Sequence, residues 1–296
     1  MDISNRVHFG KPDIEALKSE GYACVDMHVH TRYSDGLSTT SRIKKKLDKL
    51  GIGVAICDHN FIAGSLELAK TNTFLIPGIE VEAKEGYHVL FYFYTPDELI
   101  RFYKKEIVPS KSRFHSRTTL KVPSKNIIEA SRDYECVKVA AHPFGSFWYG
   151  IAKDYHRKVV DYNLLKGLDA FEVICGESSH KNNLKSINLA ESCGAGITGG
   201  SDAHSLREVG RVLTCAKADN VDEFLNAVKN HKTEVHGREI AIISSIAGNV
   251  IKVKMAPLHP FPYLRRGFSY AGYKGVNGLK SGYRKVKSRI SVRKKE

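Results

Sequence analysis

Short apolar runs rich in β-branched residues punctuate the chain at 24–30, 54–57, 74–81, 88–94, 137–141, 170–174 and 196–198. Each is too short for an ordinary helix and has the composition of a strand. Between several of them, residues 41–50, 126–133 and 184–192 space their apolar positions as helices do. Strand and helix alternating in this way predict a mostly parallel sheet with helices outside it. Seven strands favour a closed or nearly closed barrel, although periodicity alone does not decide closure. Residues 221–231 predict one more helix, with Val221, Phe224, Leu225 and Val228 on one face. Two stretches break the rhythm. Residues 104–125 are polar, basic and aperiodic, as expected of an insertion over one face of the sheet. Beyond Gly237 the pattern loosens: 240–255 suits a strand pair or a helix, and 265–296 suits an extended or disordered segment.

Charge sharpens that boundary. The formal net charge of the 296 residues is +14, yet residues 241–296 hold thirteen Lys and Arg against the single Glu296. Residues 1–240 are therefore close to neutral and are expected to form the main folded domain, with 241–296 a basic C-terminal extension. Hydrophobic residues make up 42% of the chain, enough for a sizeable core and too many for a largely disordered protein. The six cysteines form no C-x-x-C pair and several lie in apolar runs, which predicts reduced, buried thiols and a cytoplasmic setting. The first ten residues lack the basic and apolar regions of a signal peptide. The apolar run 240–251 is shorter than the roughly 20 residues a bilayer crossing needs.

Candidate chemistry gathers at the strand ends. His28 and His30, two apart on the first predicted strand, project from one face and could chelate a divalent metal. Asp35 follows at once; the second strand ends in Asp58-His59, the third in Gly78-Ile79-Glu80. His88 opens the fourth, His142 ends the fifth before Pro143, and the last runs into Gly200-Ser201-Asp202-Ala203-His204. So many imidazoles and carboxylates would repel or go unpaired without a cation among them. In α/β barrels the strand C-termini carry the chemistry. Nine candidate ligands exceed one tetrahedral site and suffice for two or three ions, and mixed N and O donors suit Zn, Mn or Fe.

The ordered motifs Asp-x-His-x-His-Thr, Ser-Asp-Gly, Asp-His, Gly-Ile-Glu, Ala-His-Pro and Gly-Ser-Asp-Ala-His, spread over residues 22–211, resemble those of the PHP (polymerase and histidinol phosphatase) family. The resemblance implies an α/β fold, a distorted seven-stranded β/α barrel with a trinuclear metal centre. It also implies a ligand set: His28, His30, Glu80 and Asp202 around a first metal, Glu80 bridging to a second held by His88 and His142, and Asp35, His59 and His204 around a third. Asp35 stands where some relatives carry histidine, and Cys175 where members often carry asparagine. Asp26 and Asp58 are expected to orient ligating imidazoles from behind.

Clustered divalent cations imply hydrolysis of a phosphoester, by a phosphatase or phosphodiesterase, through a metal-activated water. A G-x-S-x-G elbow and a P-loop are both missing, so serine-type hydrolysis and nucleoside triphosphate cycling lack support. Arg113, Arg117, Lys181 and Arg207 are candidate phosphate contacts, Arg207 foremost because it follows His204 by three residues. His180 is a candidate leaving-group acid. In the basic extension, Tyr263, Phe268, Tyr270, Tyr273 and Tyr283 interleave with Lys and Arg, a pattern suited to RNA or DNA, to an anionic membrane surface, or to a solvated tail without a partner. Three functions stay open: a phosphoesterase on small substrates, a nucleic-acid-binding protein with a structural metal centre, and a nuclease guided by its tail.

Overall fold

The computed structural model describes residues 3–111, 119–145, 150–152 and 162–239. Arg113, Arg117, the segment 240–255 and the basic extension lie outside the described residues.

The strands are β1 (Val7–Phe9), β2 (Ala23–Val29), β3 (Gly53–Ile56), β4 (Leu75–Glu82), β5 (His88–Phe93), β6 (Cys136–Ala140), β7 (Ala170–Cys175), β8 (Gly196–Gly200), β9 (Val212–Ala216) and β10 (Glu234–Gly237). They form one sheet in the order β1-β10-β9-β2-β3-β4-β5-β6-β7-β8. The seven expected strands correspond to β2 through β8, but the count of seven is corrected to ten. The sheet curls instead of closing through a complete ladder. The segment after β8 meets β2 through a single parallel bridge, Val29 to Ala203. There His30 N donates to Ala203 O at 2.9 Å and Ala203 N to His28 O at 3.2 Å.

Direction is mixed. β2, β3 and β4 run parallel, as do β6, β7 and β8, while β5 is antiparallel to both β4 and β6. Because β5 is reversed, its first residue, His88, lies at the same rim as the last residues of β4. The register pairs His88 with Glu82 and Leu90 with Glu80. β9 and β10 extend the sheet antiparallel to their neighbours, and β1 adds to β10 in parallel.

Helices cover the sheet. α1 (Ile14–Ser19) precedes β2. α2 (Thr40–Leu50) starts at Thr39, whose hydroxyl accepts from Arg42 N at 3.3 Å, and buries Ile43 and Leu47 one turn apart. α3 (Ala63–Leu68) follows β3, and α4 (Pro96–Phe102) begins at the Thr95 cap. α5 (Ser124–Ala130), α6 (Tyr162–Lys166), α7 (His180–Cys193) and α8 (Val221–Lys229) complete the set, α8 burying Phe224, Leu225 and Val228.

The stretch 104–125 is only partly the aperiodic insertion expected. After α4 the chain makes a π turn over Tyr103–Ile107 and a short helical turn, Val108–Ser110. Phe102 and Ile107 are both buried and five residues apart, a spacing that a π turn satisfies and a 3.6-residue period conceals. Beneath α4, Phe102 packs on Phe91 and Phe93 at ring-centroid distances of 5.0 and 5.2 Å. On another side of the sheet, Met27, Ala55, Cys57, Ile76, Leu90 and Tyr92 pack together, and the Tyr92 hydroxyl donates to Met27 O at 2.6 Å. Five of the six cysteines are buried, Cys193 partly so, and all are free thiols. Among the described residues no helix is long and apolar enough to cross a membrane.

Candidate metal centre

The rim formed by β2 through β8 gathers the polar side chains into one buried cluster. His28 and His30, two residues apart around the end of β2, point the same way. His30 Nε2 lies 3.1 Å from His28 Nε2 and 3.0 Å from Asp202 Oδ1, and His28 Nε2 lies 3.5 Å from Asp202 Oδ1. Glu80, on β4, is central. Its Oε1 faces His88 Nδ1 at 2.7 Å, His142 Nε2 at 3.2 Å and His28 Nε2 at 3.5 Å. Its Oε2 faces His59 Nδ1 at 2.9 Å and His30 Nε2 at 3.5 Å. Asp35 lies between His204 Nε2 at 3.3 Å, His59 Nε2 at 3.6 Å and His30 Nδ1 at 3.7 Å.

Three sets of donor atoms are each compact enough to share a cation: His28, His30 and Asp202; His59, Glu80 and His88; and His30, Asp35, His59 and His204. Ligands about 2.1 Å from one ion lie about 3.0–3.4 Å apart in octahedral or tetrahedral geometry, which the spacings around His28, His30 and Asp202 match. The donor set is also short of internal partners. His30 Nδ1 and His142 Nδ1 are buried and make no hydrogen bond. Buried polar atoms are ordinarily bonded, so a cluster of orphaned lone pairs fits divalent cations. Compared with the assignment implied by the family resemblance, His30 and His59 each contribute to two sets, and His142 reaches the cluster through Glu80 alone among these groupings.

The electrostatics follow from mutual compensation. Burial opposes ionisation of Asp35, Glu80 and Asp202, but the surrounding imidazoles outweigh it and hold all three well below the usual carboxylate range. Burial, helped by His204 and His59, pushes His30 down to about 4, so its ring is neutral and available as a ligand near pH 7. For His28 burial is outweighed by Asp202, Glu172 and Glu80, which raise it well above its ordinary value.

Glu172 was not among the sequence candidates. It is buried on β7, its Oε1 3.0 Å from His28 Nδ1 and its Oε2 accepting from His142 N at 2.7 Å. A carboxylate there holds the His28 proton on Nδ1 and turns Nε2 to the cluster, where it can ligate once a cation displaces its proton. The available signal was an acid inside the apolar run 170–174. Glu177 is a second such residue, 3.3 Å from His204 Nδ1.

Asp26 and Asp58 require a correction, since their bonds go to backbone and hydroxyl groups and not to imidazoles. Asp58 accepts from Thr31 N at 2.8 Å, Thr31 Oγ1 at 2.7 Å and Ser34 Oγ at 2.6 Å, fixing the loop that carries Asp35. Asp26 accepts from Ser201 N at 2.9 Å, Ser201 Oγ at 2.6 Å and Gly210 N at 2.8 Å, tying β2 to the segment bearing Asp202 and His204. Cys175 lies with its Sγ 3.8 Å from Asp202 Oδ2, and burial keeps it a thiol.

The backbone is bent to present these groups. His142 and Asp202 hold positive φ angles of 27° and 51°, at a cost of roughly 1–3 kcal/mol each. Strain of that kind is characteristic of ligand sites. At Gly200 a Cβ would lie 2.3 Å from His28 Cβ and 2.7 Å from His28 N, so only glycine lets β8 approach β2 this closely.

Lys181 and Arg207 are exposed. His180, the candidate leaving-group acid, packs its ring against Phe9 and holds its Nδ1 2.9 Å from Glu239 Oε1. Lys111, which sequence reasoning passed over, holds its ammonium 3.7 Å from the centre of the Phe61 ring, two residues past His59.

A curled α/β sheet with a buried His/Asp/Glu rim defines a class of fold whose donor-rich rim can hold divalent cations. Comparison with known proteins narrows it. Residues 180–233 match the model of the PHP-associated family. An uncharacterized protein of Methanocaldococcus jannaschii, MJ0417, is 27% identical over 223 residues, covering 69% of this chain and 78% of its own. Endonuclease Q of Pyrococcus furiosus superposes with a TM-score of 0.56 at 21% identity, covering 72% of this chain. The present chain spans 57% of that longer chain. A two-domain Bacteroides vulgatus protein, described as containing a predicted PHP-like metal-dependent phosphoesterase, superposes at 0.51 with 16% identity, covering 78% of this chain and 68% of its own. The chain thus matches a PHP-associated family model at residues 180–233 and shares its fold with PHP-like structures.

Proposed function

We propose that this protein hydrolyses a phosphoester, as a phosphatase or phosphodiesterase, at a multinuclear centre of two or three divalent cations. The observation that carries this is that His28, His30, His59 and His88, which between them belong to all three donor sets, each lie within 3.5 Å of the Glu80 carboxylate. The proposed ligands are His28, His30, Asp35, His59, Glu80, His88, His142, Asp202 and His204. Such cations, when bound, supply an activated water and a clamp for the phosphoryl oxygens.

The chain's own residues prepare the site. Glu172 holds His28 in the tautomer that presents Nε2. The carbonyl of Asp202 takes the Nδ1 proton of His204 at 2.9 Å, which turns its Nε2 lone pair toward Asp35. Arg207 is proposed to contact the phosphate, as its exposed side chain is free to fold toward the rim three residues beyond His204. With Mn(II) or Zn(II), the tag-free protein is expected to hydrolyse bis(p-nitrophenyl) phosphate or p-nitrophenyl phosphate, and the variant His28→Ala with His30→Ala to lose that activity. Equal rates would remove the proposal.

A nuclease is the second reading. The fold is shared with an endonuclease Q described in complex with a 27-mer duplex carrying an abasic lesion, at a TM-score of 0.57 and 20% identity. Residues 241–296 supply the positive charge such a substrate needs. Deleting the residues after Pro257 would then reduce activity on oligonucleotides far more than on small esters. A uniform effect on both would leave the small-ester reading alone.

A further inference from the structure

A second group of ligand-type side chains lies away from the rim, on the flank of the sheet. Among the described strands β1 lies at the edge of the sheet, with β10 as its neighbour. Their register sets His8 directly beside His236. The two rings stack with centroids 4.3 Å apart and planes 16° from parallel. Glu234, two residues before His236, projects from the same face, since Val235 between them is buried in the core. Its Oε2 lies 3.1 Å from His236 Nε2 and 3.6 Å from His8 Nε2. The other carboxylate oxygen is taken: Tyr22 donates its hydroxyl to Oε1 at 2.6 Å. That bond fixes the rotation of the carboxylate and turns Oε2 toward the imidazoles.

From this arrangement we infer that His8, Glu234 and His236 form a separate binding site for a borderline transition-metal dication of the Zn(II) type. The three donor atoms all fall within 4.8 Å of one another. Around a tetrahedral ion with ligand distances of about 2.05 Å, neighbouring donors lie about 3.3 Å apart, between the two measured separations. Two imidazole nitrogens and one carboxylate oxygen select Zn(II) over Mg(II) or Ca(II), which favour all-oxygen shells. A hydroxyl bonded to the ligating carboxylate is the supporting contact such sites commonly have. All three side chains are open to solvent, their exposures being 46% for His8, 28% for Glu234 and 17% for His236, so the fourth position is left to water.

The physical consequence is a clamp. β1 pairs with β10 through three residues, Val7 to Phe9, and a cation there would join residue 8 to residue 236, binding the first described strand to the last. Holding ends so distant in sequence removes a large closure entropy from the open state.

The test uses the full-length, tag-free protein carrying His28→Ala and His30→Ala to weaken the rim, with Zn(II) as the probe. Equilibrium dialysis with elemental analysis is expected to count one Zn(II) fewer when His8→Ala and His236→Ala are added. His8→Ala alone, at a half-exposed position that leaves the core intact, is expected to weaken that one site at least tenfold. Histidine 15N spectra should show two imidazoles shifting with Zn(II), and neither doing so after the double substitution. Unchanged stoichiometry and affinity in both variants would overturn the assignment and leave a hydrogen-bonded cluster with no metal.

Discussion

Replacing Glu172 by glutamine separates a metal centre from a buried polar cluster. The substitution keeps the shape of the side chain and removes one acceptor. In the native arrangement Oε1 meets His28 Nδ1 at 3.0 Å and Oε2 accepts from His142 N at 2.7 Å. The backbone amide of His142 can only donate, so the glutamine oxygen must stay with it and the NH2 group must face His28. His28 then has to accept at Nδ1 and carry its proton on Nε2, the atom that faces Glu80, Asp202 and His30. A protonated Nε2 cannot ligate. Loss of such a supporting contact typically lowers metal affinity or activity by about 10–100-fold, or about 1.4–2.7 kcal/mol. The alternative, a donor facing a donor in the core, costs about 1–3 kcal/mol in stability. Metal affinity measured by chelator competition, alongside phosphodiester hydrolysis and a circular-dichroism melt, reads both outcomes. Metal affinity, activity and melting temperature all within twofold or 1 °C of wild type would refute the reasoning.

Other perturbations bear on the same frame. Gly200→Ala places a methyl 2.3 Å from His28 Cβ, and overpacking of this kind costs about 1–3 kcal/mol; urea unfolding should show that loss together with weakened metal binding. Asp58→Ala strips the acceptor from Thr31 N, Thr31 Oγ1 and Ser34 Oγ. It should destabilise more than Asp58→Asn, at about 1–3 kcal/mol per donor left dry, as chemical denaturation of the pair would reveal. Removing metal with a chelator should lower the melting temperature, since each ion present at about 100 times its Kd contributes about 2.7 kcal/mol. In a domain of this size that is a fall of roughly 5–10 °C per ion, and an identical melt with and without chelator would count against bound cations.

Much of this was legible in the chain because its signals are local. The runs that became β2 to β8 are β-branched and bounded by polar segments, and His28, His59, Glu80, His142 and Asp202 announce themselves by falling at their ends. What escaped depends on distance or on broken periodicity. β1 and β10 have three and four residues, and β1 is defined by a partner more than two hundred residues away in sequence. The π turn at Tyr103–Ile107 shifts Phe102 and Ile107 off the helical period, so a helical extension passes for an irregular insertion. Glu172 lies inside a strand, where a carboxylate reads as an interruption until its contact with His28, 144 residues away, is visible. Asp26 and Asp58 are expected from sequence to orient imidazoles, but sequence gives no direction to a carboxylate, and both turn toward backbone amides and hydroxyls.

Anomalous scattering from crystals of the tag-free protein grown with Mn(II) bears most directly on whether the rim around Glu80 holds cations. The account predicts at least two peaks, each within about 2.0–2.4 Å of donors drawn from His28, His30, Asp35, His59, Glu80, His88, His142, Asp202 and His204. Ordered side chains at that rim with no anomalous density between them, at millimolar Mn(II), would contradict it.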